Sequence, residues 1–411
     1  MYRQSLRAQW GQLIVLSSVH FLVDMFGNML PAILPEIRQY FSLSLSLGSF
    51  ILFSLMLTAN GVQMLTGHMR PKKTQPLFLH VGLVLAAGIC LMAVAPRSGV
   101  GVALVIGLGI VSGCGIAVAH PEGLRAVHVI DRISPRLSTA VFMTSGFLGF
   151  ASGGAIASLL VKAHGLRGLY PLALCPVAGI LAVLLAKVRL SVEDDTEKAA
   201  SEAGAAPTTA LPFWRVLLAG LPAGTATTIV LFLLPTYLDE LGFDLSFRGL
   251  SAAMFGWGGT VGPFIWALAA RKKGDLPCAF YAFLVSVPFM ILYLVFVRHA
   301  AAVWLLFGVG FCSMSAYILT ITLARQASGL NLGQRMAFIV GGTWGIADVV
   351  FLAFVPIADR LGTGFVLKLM PVGYVLSTVL TLSLMRAYPA AGRGRKDKGV
   401  VDIIAEEHPP V

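Results

Sequence analysis

Three polar residues recur at intervals of four in an otherwise apolar stretch near the start of the chain. They are His20, Asp24 and Asn28, within HFLVDMFGN. A helix places residues with this spacing on one face. A carboxyl group in such a stripe gains or loses a proton as its surroundings alternate between apolar and aqueous. We therefore predict that Asp24 and His20 couple to protons and that Asn28 contacts a substrate. The alternative is a purely structural pair of Asp24 with His20 or with a neighbouring helix.

A second group of polar residues ends another apolar stretch, at AHPEGLRAVH, which contains His120, Pro121, Glu122 and Arg125. A proline inside a helix removes a backbone donor and can kink the helix. We predict that His120 and Glu122 take part in proton coupling and that Arg125 contacts the substrate. The alternative is that Glu122 and Arg125, three residues apart on one helical face, pair with each other and fix the helix end.

The later part of the chain offers one acidic candidate and several neutral ones. Asp348 lies in the apolar segment GGTWGIADVV. An ionisable group inside such a segment is costly and points to a function, so Asp348 joins the predicted proton-coupling residues. Neutral side chains in other apolar segments can form hydrogen bonds with a substrate. Those predicted to do so are Thr225, Thr228, Tyr317, Thr320 and Trp344.

The segments that hold these residues are apolar enough to lie in lipid. Of the 411 residues, 57% are hydrophobic and 12% are charged, whereas soluble proteins have roughly 25% charged residues. Windows of about 20 apolar residues predict an all-α integral membrane protein with twelve spanning helices. The predicted spans are 11–35, 46–66, 76–96, 100–124, 137–162, 168–188, 212–237, 248–270, 277–297, 301–324, 335–357 and 363–386.

An internal repeat is visible when the chain is compared with itself. A shift of 200 positions aligns Leu34-Pro35 with Leu234-Pro235, Lys72-Lys73 with Lys272-Lys273, and Arg125 with Arg325. We therefore predict two pseudo-symmetric halves of six helices, at 1–190 and 211–388, with a cytoplasmic linker at 191–210 and a cytoplasmic tail at 389–411. Repeats of this kind place a substrate near the membrane midplane, between the halves.

The same shift separates the chemistry of the halves. It sets Asp24 opposite Gly224 and His120 opposite Thr320. We therefore predict that the first half handles protons and that the second half forms hydrogen bonds with the substrate.

The formal net charge of +11 comes mostly from short basic runs between apolar segments. This distribution argues against a nucleic-acid partner and in favour of membrane topology, because cytoplasmic loops are enriched in Lys and Arg. We place both termini in the cytoplasm, with a bacterial inner membrane as the expected location. Two basic turns on that side are predicted to gate the cavity: Arg70, Lys72, Lys73, Arg271, Lys272 and Lys273.

Neither a metal nor a cofactor is expected. The five cysteines lie inside apolar segments without a CxxC pair and are interpreted as small apolar residues. His120 and His128 are two helical turns apart, too far for easy chelation of one ion. The spans show no nucleophile, base and orienting group in combination, so we expect no enzyme activity.

These features resemble those of the major facilitator superfamily over essentially the whole chain. The segments HFLVDM at 20–25 and GCGIAVAHPEGLR at 113–125 are similar to the corresponding segments of the fosmidomycin-resistance group of bacterial efflux proteins. That resemblance implies an inner-membrane, proton-driven exporter of small organic compounds. The positions to which it assigns these roles are Asp24, His120, Glu122 and Arg125.

Two positions depart from patterns that are common in the superfamily. Pro71 replaces the acidic residue of the loop signature after the second span, and Gly109 stands where proton-driven drug antiporters have an arginine. The leading hypothesis is a monomeric antiporter that moves a small molecule out as protons enter. An importer or facilitator of an anionic metabolite, contacted by Arg125 or His120, is the second, and a transporter-like sensor is the third.

Overall fold

A computed structural model describes residues 5–66, 73–133, 135–190, 211–330 and 332–389. Most of these residues are helical, because in lipid each backbone N–H and C=O group must find its partner within the chain. Arg70, Pro71, Lys72, the linker 191–210 and the tail from 390 lie outside the described residues. The helices are α1 (Leu6–Gly27), α2 (Leu34–Phe41), α3 (Leu45–Thr66), α4 (Leu77–Ala86), α5 (Gly99–Val127), α6 (Pro135–His164), α7 (Cys175–Leu185), α8 (Phe213–Glu240), α9 (Leu245–Lys273), α10 (Asp275–Phe296), α11 (Val303–Gln326), α12 (Leu332–Met336), α13 (Thr343–Leu361) and α14 (Thr363–Ala387).

Among the described residues, ten helical stretches are long and apolar enough to cross a membrane. The prediction of a helical membrane protein is thus confirmed, whereas the count of twelve spans stays a prediction. One stretch, Leu137–Leu185, is 49 residues long and includes most of α6 and all of α7, with a 3-10 segment between them that begins at Gly165, where φ is +62°. Helix α9 is not among these ten stretches, because its glycines and tryptophans lower its mean hydropathy.

The first span is interrupted near the polar stripe. Helix α1 ends at Gly27, and the backbone N–H of Asn28 donates to the carbonyl oxygen of Asp24 at 3.1 Å. A 3-10 turn over Pro31–Ile33 and then α2 follow, since each proline lacks the N–H that a continuous helix needs. Asp24 therefore stands one turn before the end of α1.

The helices run between two ends of the bundle. We call the end that holds the start of α1, Lys73 and the end of α9 the basic end, and the other the opposite end. Residues 5–190 are the first half and residues 211–389 the second half, with the gaps given above.

Charged side chains join the halves at the opposite end. The guanidinium of Arg248 on α9 donates to Glu36 on α2, and also to Asp239 at 2.8 Å. Nζ of Lys162 lies 2.6 Å from Oδ2 of Asp244. The hydrogen bonds from Lys162 and from the N–H of Phe247 hold the pKa of Asp244 below its usual value. These contacts connect the two halves at the opposite end.

Helix α6 contacts both α1 and the second half at very short range. A Cβ at Gly149 would lie 2.1 Å from the carbonyl oxygen of Phe21 on α1. On another face, a Cβ at Gly256 of α9 would lie 2.4 Å from the Cα of Ala151. Glycine permits both approaches because it has no side chain. Helix α6 thus connects α1, where the polar stripe lies, with the other half of the bundle.

Candidate functional site

Asp24 lies between two histidines from different helices. Its Oδ2 is 3.3 Å from Nε2 of His20, one turn earlier on α1, and its Oδ1 is 2.8 Å from Nε2 of His120 on α5. The two imidazole rings are nearly perpendicular, with centroids 5.2 Å apart. The fold thus brings together three residues of which one, His120, is 96 positions from Asp24. We call these three residues the Asp24 cluster.

The second nitrogen of each ring is held by a backbone carbonyl. Nδ1 of His20 is 2.8 Å from the carbonyl oxygen of Phe142, and Nδ1 of His120 is 2.9 Å from that of Ile116. A carbonyl oxygen only accepts, so each Nδ1 must be the donor. Both Nε2 atoms therefore face Asp24, and each has a bare lone pair while its ring is neutral.

This geometry sets a minimum proton content. With neutral rings and an ionised Asp24, two nitrogen lone pairs would point at carboxylate oxygens. The 2.8 Å contact between His120 and Asp24 is a hydrogen bond only if one of the two has a proton between them. A hydrogen bond at this contact therefore requires at least one proton in the Asp24 cluster, and the contact with His20 leaves room for a second.

Helix α6 covers one side of the cluster. The ring of Phe142 stacks on His20 with a centroid distance of 4.1 Å. A Cβ at Gly146 would lie 2.5 Å from both Nε2 of His20 and Oδ2 of Asp24, so a side chain there would displace the cluster. Asp24 and His120 keep 19% and 20% of their side-chain surface exposed, whereas His20 is buried. The cluster is thus accessible from its His120 side.

The same three side chains have a spacing that a metal ion could bridge. Their ligand atoms lie within 4.8 Å of one another, and metal-binding histidines commonly donate their other ring N–H to a carbonyl. The expectation of no metal therefore stays a prediction. A divalent ion would compete with protons for the same lone pairs, so tests of this cluster need a metal control.

Glu122 and Arg125 contact other elements near the basic end. Oε2 of Glu122 accepts a hydrogen bond of 3.0 Å from the N–H of Leu79, in the first turn of α4. The helix dipole favours a carboxylate at that position. Nη2 of Arg125 donates to the carbonyl oxygen of Lys73 at 3.0 Å. Both side chains are buried, and their roles in coupling and substrate binding stay predictions.

Asp348 lies apart from the Asp24 cluster, at the contact between α13 and α3. Its Oδ2 accepts a hydrogen bond of 2.8 Å from Nδ2 of Asn60. The Asp348 side chain is 2% exposed. This acid of the second half is therefore bonded to an amide of the first.

Asn28 and Thr228, which the 200-residue shift sets opposite each other, both have a free polar atom. Nδ2 of Asn28 donates to the carbonyl oxygen of Phe150 at 2.8 Å. Oδ1 of Asn28 and Oγ1 of Thr228 are buried without a partner among the described residues. An unpaired buried polar atom is costly, so each is suited to a hydrogen bond from a substrate or water.

The remaining neutral candidates are an aromatic pair and two threonines. Trp344 donates from Nε1 to the hydroxyl of Tyr317 at 2.8 Å, and their ring centroids are 5.0 Å apart. The hydroxyl of Thr320 bonds within its own helix, to the carbonyl oxygens of Ala316 at 2.9 Å and Tyr317 at 2.7 Å. Thr225 is half-buried on α8. The aromatic pair is thus better placed than Thr320 to present polar atoms to a ligand.

Two residues at these sites were missed by the sequence analysis. Asn60 and Phe142 were not singled out, because a lone amide or aromatic residue in an apolar segment has no distinguishing spacing. Gly146 of α6 also lies against the Asp24 cluster. In the basic turns, the described Lys73, Arg271, Lys272 and Lys273 are exposed at the basic end.

Residues 16–352 match the family model of the Major Facilitator Superfamily. The chain belongs to this superfamily. The fosmidomycin resistance protein of Escherichia coli strain K12 is 27% identical over 160 residues, which are 39% of this chain and 38% of that protein. The uncharacterized MFS-type transporter YfnC of Bacillus subtilis strain 168 is 23% identical over 381 residues, covering 90% and 92% of the two chains.

A D-xylose–proton symporter of known crystal structure has the same fold. Its TM-score is 0.72 at 13% identity, and the match covers 90% of this chain and 97% of the symporter. As a member of the major facilitator superfamily, the chain is a secondary transporter of small molecules that crosses the membrane several times.

One departure from the superfamily's drug antiporters has a packing explanation. Gly109 of this superfamily member lies on α5 against α3, where an added Cβ would be 3.0 Å from Oγ of Ser54. An arginine at this position has no room without separation of α5 from α3. The other departure, Pro71, lies outside the described residues.

Proposed function

We propose that this transporter is a proton-coupled antiporter that exports small organic compounds by alternating access. The observation that most directly supports this is the Asp24 cluster. Its ring nitrogens at Nδ1 are committed to carbonyl oxygens, so the variable in the cluster is the number of protons between Nε2 and the carboxylate. The name of one relative, a fosmidomycin resistance protein, agrees with export of a small organic compound.

Protonation in this proposal controls the contact between α1 and α5. With a proton present, His120 and Asp24 attract each other across that contact. Without it, nitrogen lone pairs face an ionised carboxylate, and the contact becomes repulsive. Asn28 lies one turn beyond Asp24 on the chain, so movement of this segment changes the substrate contacts. Substrate and proton then favour different arrangements, which is the condition for exchange.

The substrate in this proposal binds between the two halves. The unpaired Oδ1 of Asn28 and Oγ1 of Thr228 supply hydrogen bonds, while Tyr317 and Trp344 supply aromatic surface. Import of an anionic metabolite is supported less well, because Arg125 bonds to the Lys73 carbonyl and His120 to Asp24. Neither cation is left unoccupied for such a substrate.

The proposal also includes topology and gating. The basic end faces the cytoplasm of a bacterial cell, with both termini on that side, and the transporter acts as a monomer. The ion pairs of Arg248 and Lys162 close the opposite end, which suits access from the basic end. When the basic end closes, Lys73 and Arg271–Lys273 approach acidic partners and stabilise that state.

A flux measurement tests the proposal. A ligand is first found by thermal stabilisation of the purified protein, and the protein is then placed in liposomes with a pH-sensitive dye inside. External ligand should raise the internal pH, because an antiporter moves protons out as the ligand enters. The Asp24→Asn variant should bind the ligand without this change. Acidification of the interior would instead show symport, and an unchanged internal pH in the wild-type protein would show uncoupled transport.

A further inference from the structure

A cleft between α6 and α9 opens at the basic half of the bundle. Towards the opposite end these helices are in close contact, where Gly256 meets Ala151 and a Cβ at Gly249 would lie 2.5 Å from Oγ of Ser158. Beyond Phe147 of α6 the two helices separate and enclose a volume of about 390 Å³. This volume falls in the range of about 300–1,000 Å³ that is usual for sites of small organic ligands.

The walls of the cleft are apolar and its charge is at one end. Met143 and Phe147 of α6 and Phe264 of α9 are typical of the lining. The hydroxyl of Thr260 adds little polarity, since it already donates to the carbonyl oxygen of Gly256 at 2.9 Å. Among the described residues of the lining, the ionised group is Arg271, in the last turn of α9 at the basic end.

The cleft extends from the surface of the bundle to helix α11. Met143 is 38% exposed, and Phe264 is 48% exposed, so both present apolar side chains at the surface of the protein. At its inner side the cleft is lined by Ile318 of α11. The preceding residue is Tyr317, which accepts the hydrogen bond from Trp344. A ligand in the cleft therefore lies at the same depth along α11 as Tyr317, one of the residues proposed to bind the exported substrate.

We propose that this cleft is a side entrance through which a single-chain amphiphile with an anionic head group moves from the membrane into the transporter. The chain lies between the apolar walls, and the anionic group pairs with Arg271. The source is the leaflet at the basic end, because the cleft opens in that half while the other half of the α6–α9 contact is closed. This proposal names the substrate class of the exporter proposed above and rests on that function.

Two features select this occupant over a water-soluble one. Almost all of the lining is apolar, so a hydrophilic molecule would lose its hydration there without hydrogen bonds in return. A neutral amphiphile would not use the guanidinium at the mouth. Arg271 also lies where lipid head groups are found, and one cation near such groups contributes about 1 kcal/mol of attraction for an anion.

Photolabelling in liposomes of phosphatidylcholine tests the entrance. The probe is a long-chain fatty acid with a diazirine in its chain, and the matched probe is the corresponding neutral alcohol. After irradiation, mass spectrometry should place the acid on peptides that contain Met143, Phe264 and Ile318. Arg271→Gln should reduce this labelling about fivefold for the acid and leave labelling by the alcohol unchanged. Lys272→Gln is the control, because Lys272 does not line the cleft, and it should leave both unchanged.

Three results would overturn the entrance. One is even labelling of exposed residues elsewhere, such as Leu185 and Trp304, with no excess in the cleft. Another is cleft labelling by the acid that Arg271→Gln does not alter. The third is unchanged labelling of Ile318 in Ala267→Trp, which should fill the cleft. The Asp24→Asn variant should lose proton movement and keep the labelling, so failure of proton coupling and failure of the entrance are separate outcomes.

Discussion

The side-chain amide of Asn60 donates a hydrogen bond of 2.8 Å to the carboxyl group of Asp348, and this bond crosses the boundary between the two halves. Helix α3 belongs to the first half and α13 to the second. If the halves rock against each other as in related transporters, the bond must lengthen or break. It therefore stabilises the conformation seen here at the expense of others.

Replacement of Asn60 by alanine should destabilise this conformation. The carboxyl group of Asp348 would remain buried and lose a hydrogen bond, which costs about 1–3 kcal/mol. Asp348→Asn is the comparison, because its amide oxygen can still accept from Asn60. Thermal unfolding in detergent at neutral pH should show a lower midpoint for Asn60→Ala than for Asp348→Asn. Equal midpoints would mean that the bond contributes nothing to stability.

A methyl group at position 146 should damage the Asp24 cluster. The Cβ of Gly146→Ala would lie 2.5 Å from Oδ2 of Asp24, and overpacking of this kind costs typically about 1–3 kcal/mol. We expect a lower unfolding temperature and loss of ligand-driven proton movement. Gly61→Ala on α3 is the matched control, since a Cβ there would meet no atom within 4 Å. If Gly146→Ala has the unfolding temperature and the proton movement of the wild type, α6 is not held against the Asp24 cluster.

The ion pairs at the opposite end should differ in strength. Arg248 is 5% exposed and joins Glu36, which is 21% exposed, to Asp239, which is 47% exposed, so its replacement should cost more than the loss of an exposed pair. Lys162 and Asp244 are both more than half exposed, and such pairs contribute about 0–1 kcal/mol. Chemical or thermal unfolding should therefore rank Arg248→Gln well below Lys162→Gln. If Lys162→Gln were the less stable variant, the ion pairs of Arg248 would not be the stronger contact between the halves at this end.

Ligand binding should lose its pH dependence when Asp24 is replaced by asparagine. An antiporter binds its ligand better when the cluster has released a proton, so stabilisation by ligand in the wild-type protein should increase as the pH rises. The Asp24→Asn variant should bind the ligand equally well at low and at high pH. Asp244→Asn removes an exposed acid at the opposite end and should retain the wild-type behaviour. A persistent pH dependence in Asp24→Asn would exclude Asp24 from the coupling.

Removal of metal ions should leave the transporter unchanged. Treatment with a chelator is expected to alter neither the unfolding temperature nor the proton movement, and elemental analysis should find no transition metal in proportion to protein. If a metal is present and disappears in His120→Asn, that ion and not a shared proton would explain why the three ligand atoms lie within 4.8 Å of one another.

The sequence allowed the helical membrane fold and part of the Asp24 cluster to be predicted. Apolar windows find helices because every span must be long and apolar, and a four-residue spacing places His20 beside Asp24. Helix α9 covers the predicted span 248–270, although its close packing against α6 and α11 uses glycines that lower its hydropathy. Contact between distant segments was not available from spacing, so Asn60 was missed and the contact of His120 with Asp24 was not predicted, although both residues were expected to couple to protons.

The roles of Glu122 and Arg125 illustrate the same limit. Their proximity to His120 in the sequence suggested one site, yet a helix turns a residue two positions away to a different side. Glu122 meets the start of α4, and Arg125 meets the backbone of Lys73. Sequence proximity on a helix therefore predicts a shared depth in the membrane and not a shared site.

The two carbonyl oxygens that hold His20 and His120 limit how the Asp24 cluster can respond when it loses a proton. An imidazole on a protein surface can turn over and present its other nitrogen. Here a ring flip would leave the buried oxygen of Phe142 or Ile116 without its donor, at a cost of about 1–3 kcal/mol, and His20 would also disturb its stacked neighbour. With side-chain rotation disfavoured, the proton release that we propose would pass its electrostatic strain to the backbones of α1 and α5, so a chemical event of one proton would become a displacement of whole helices.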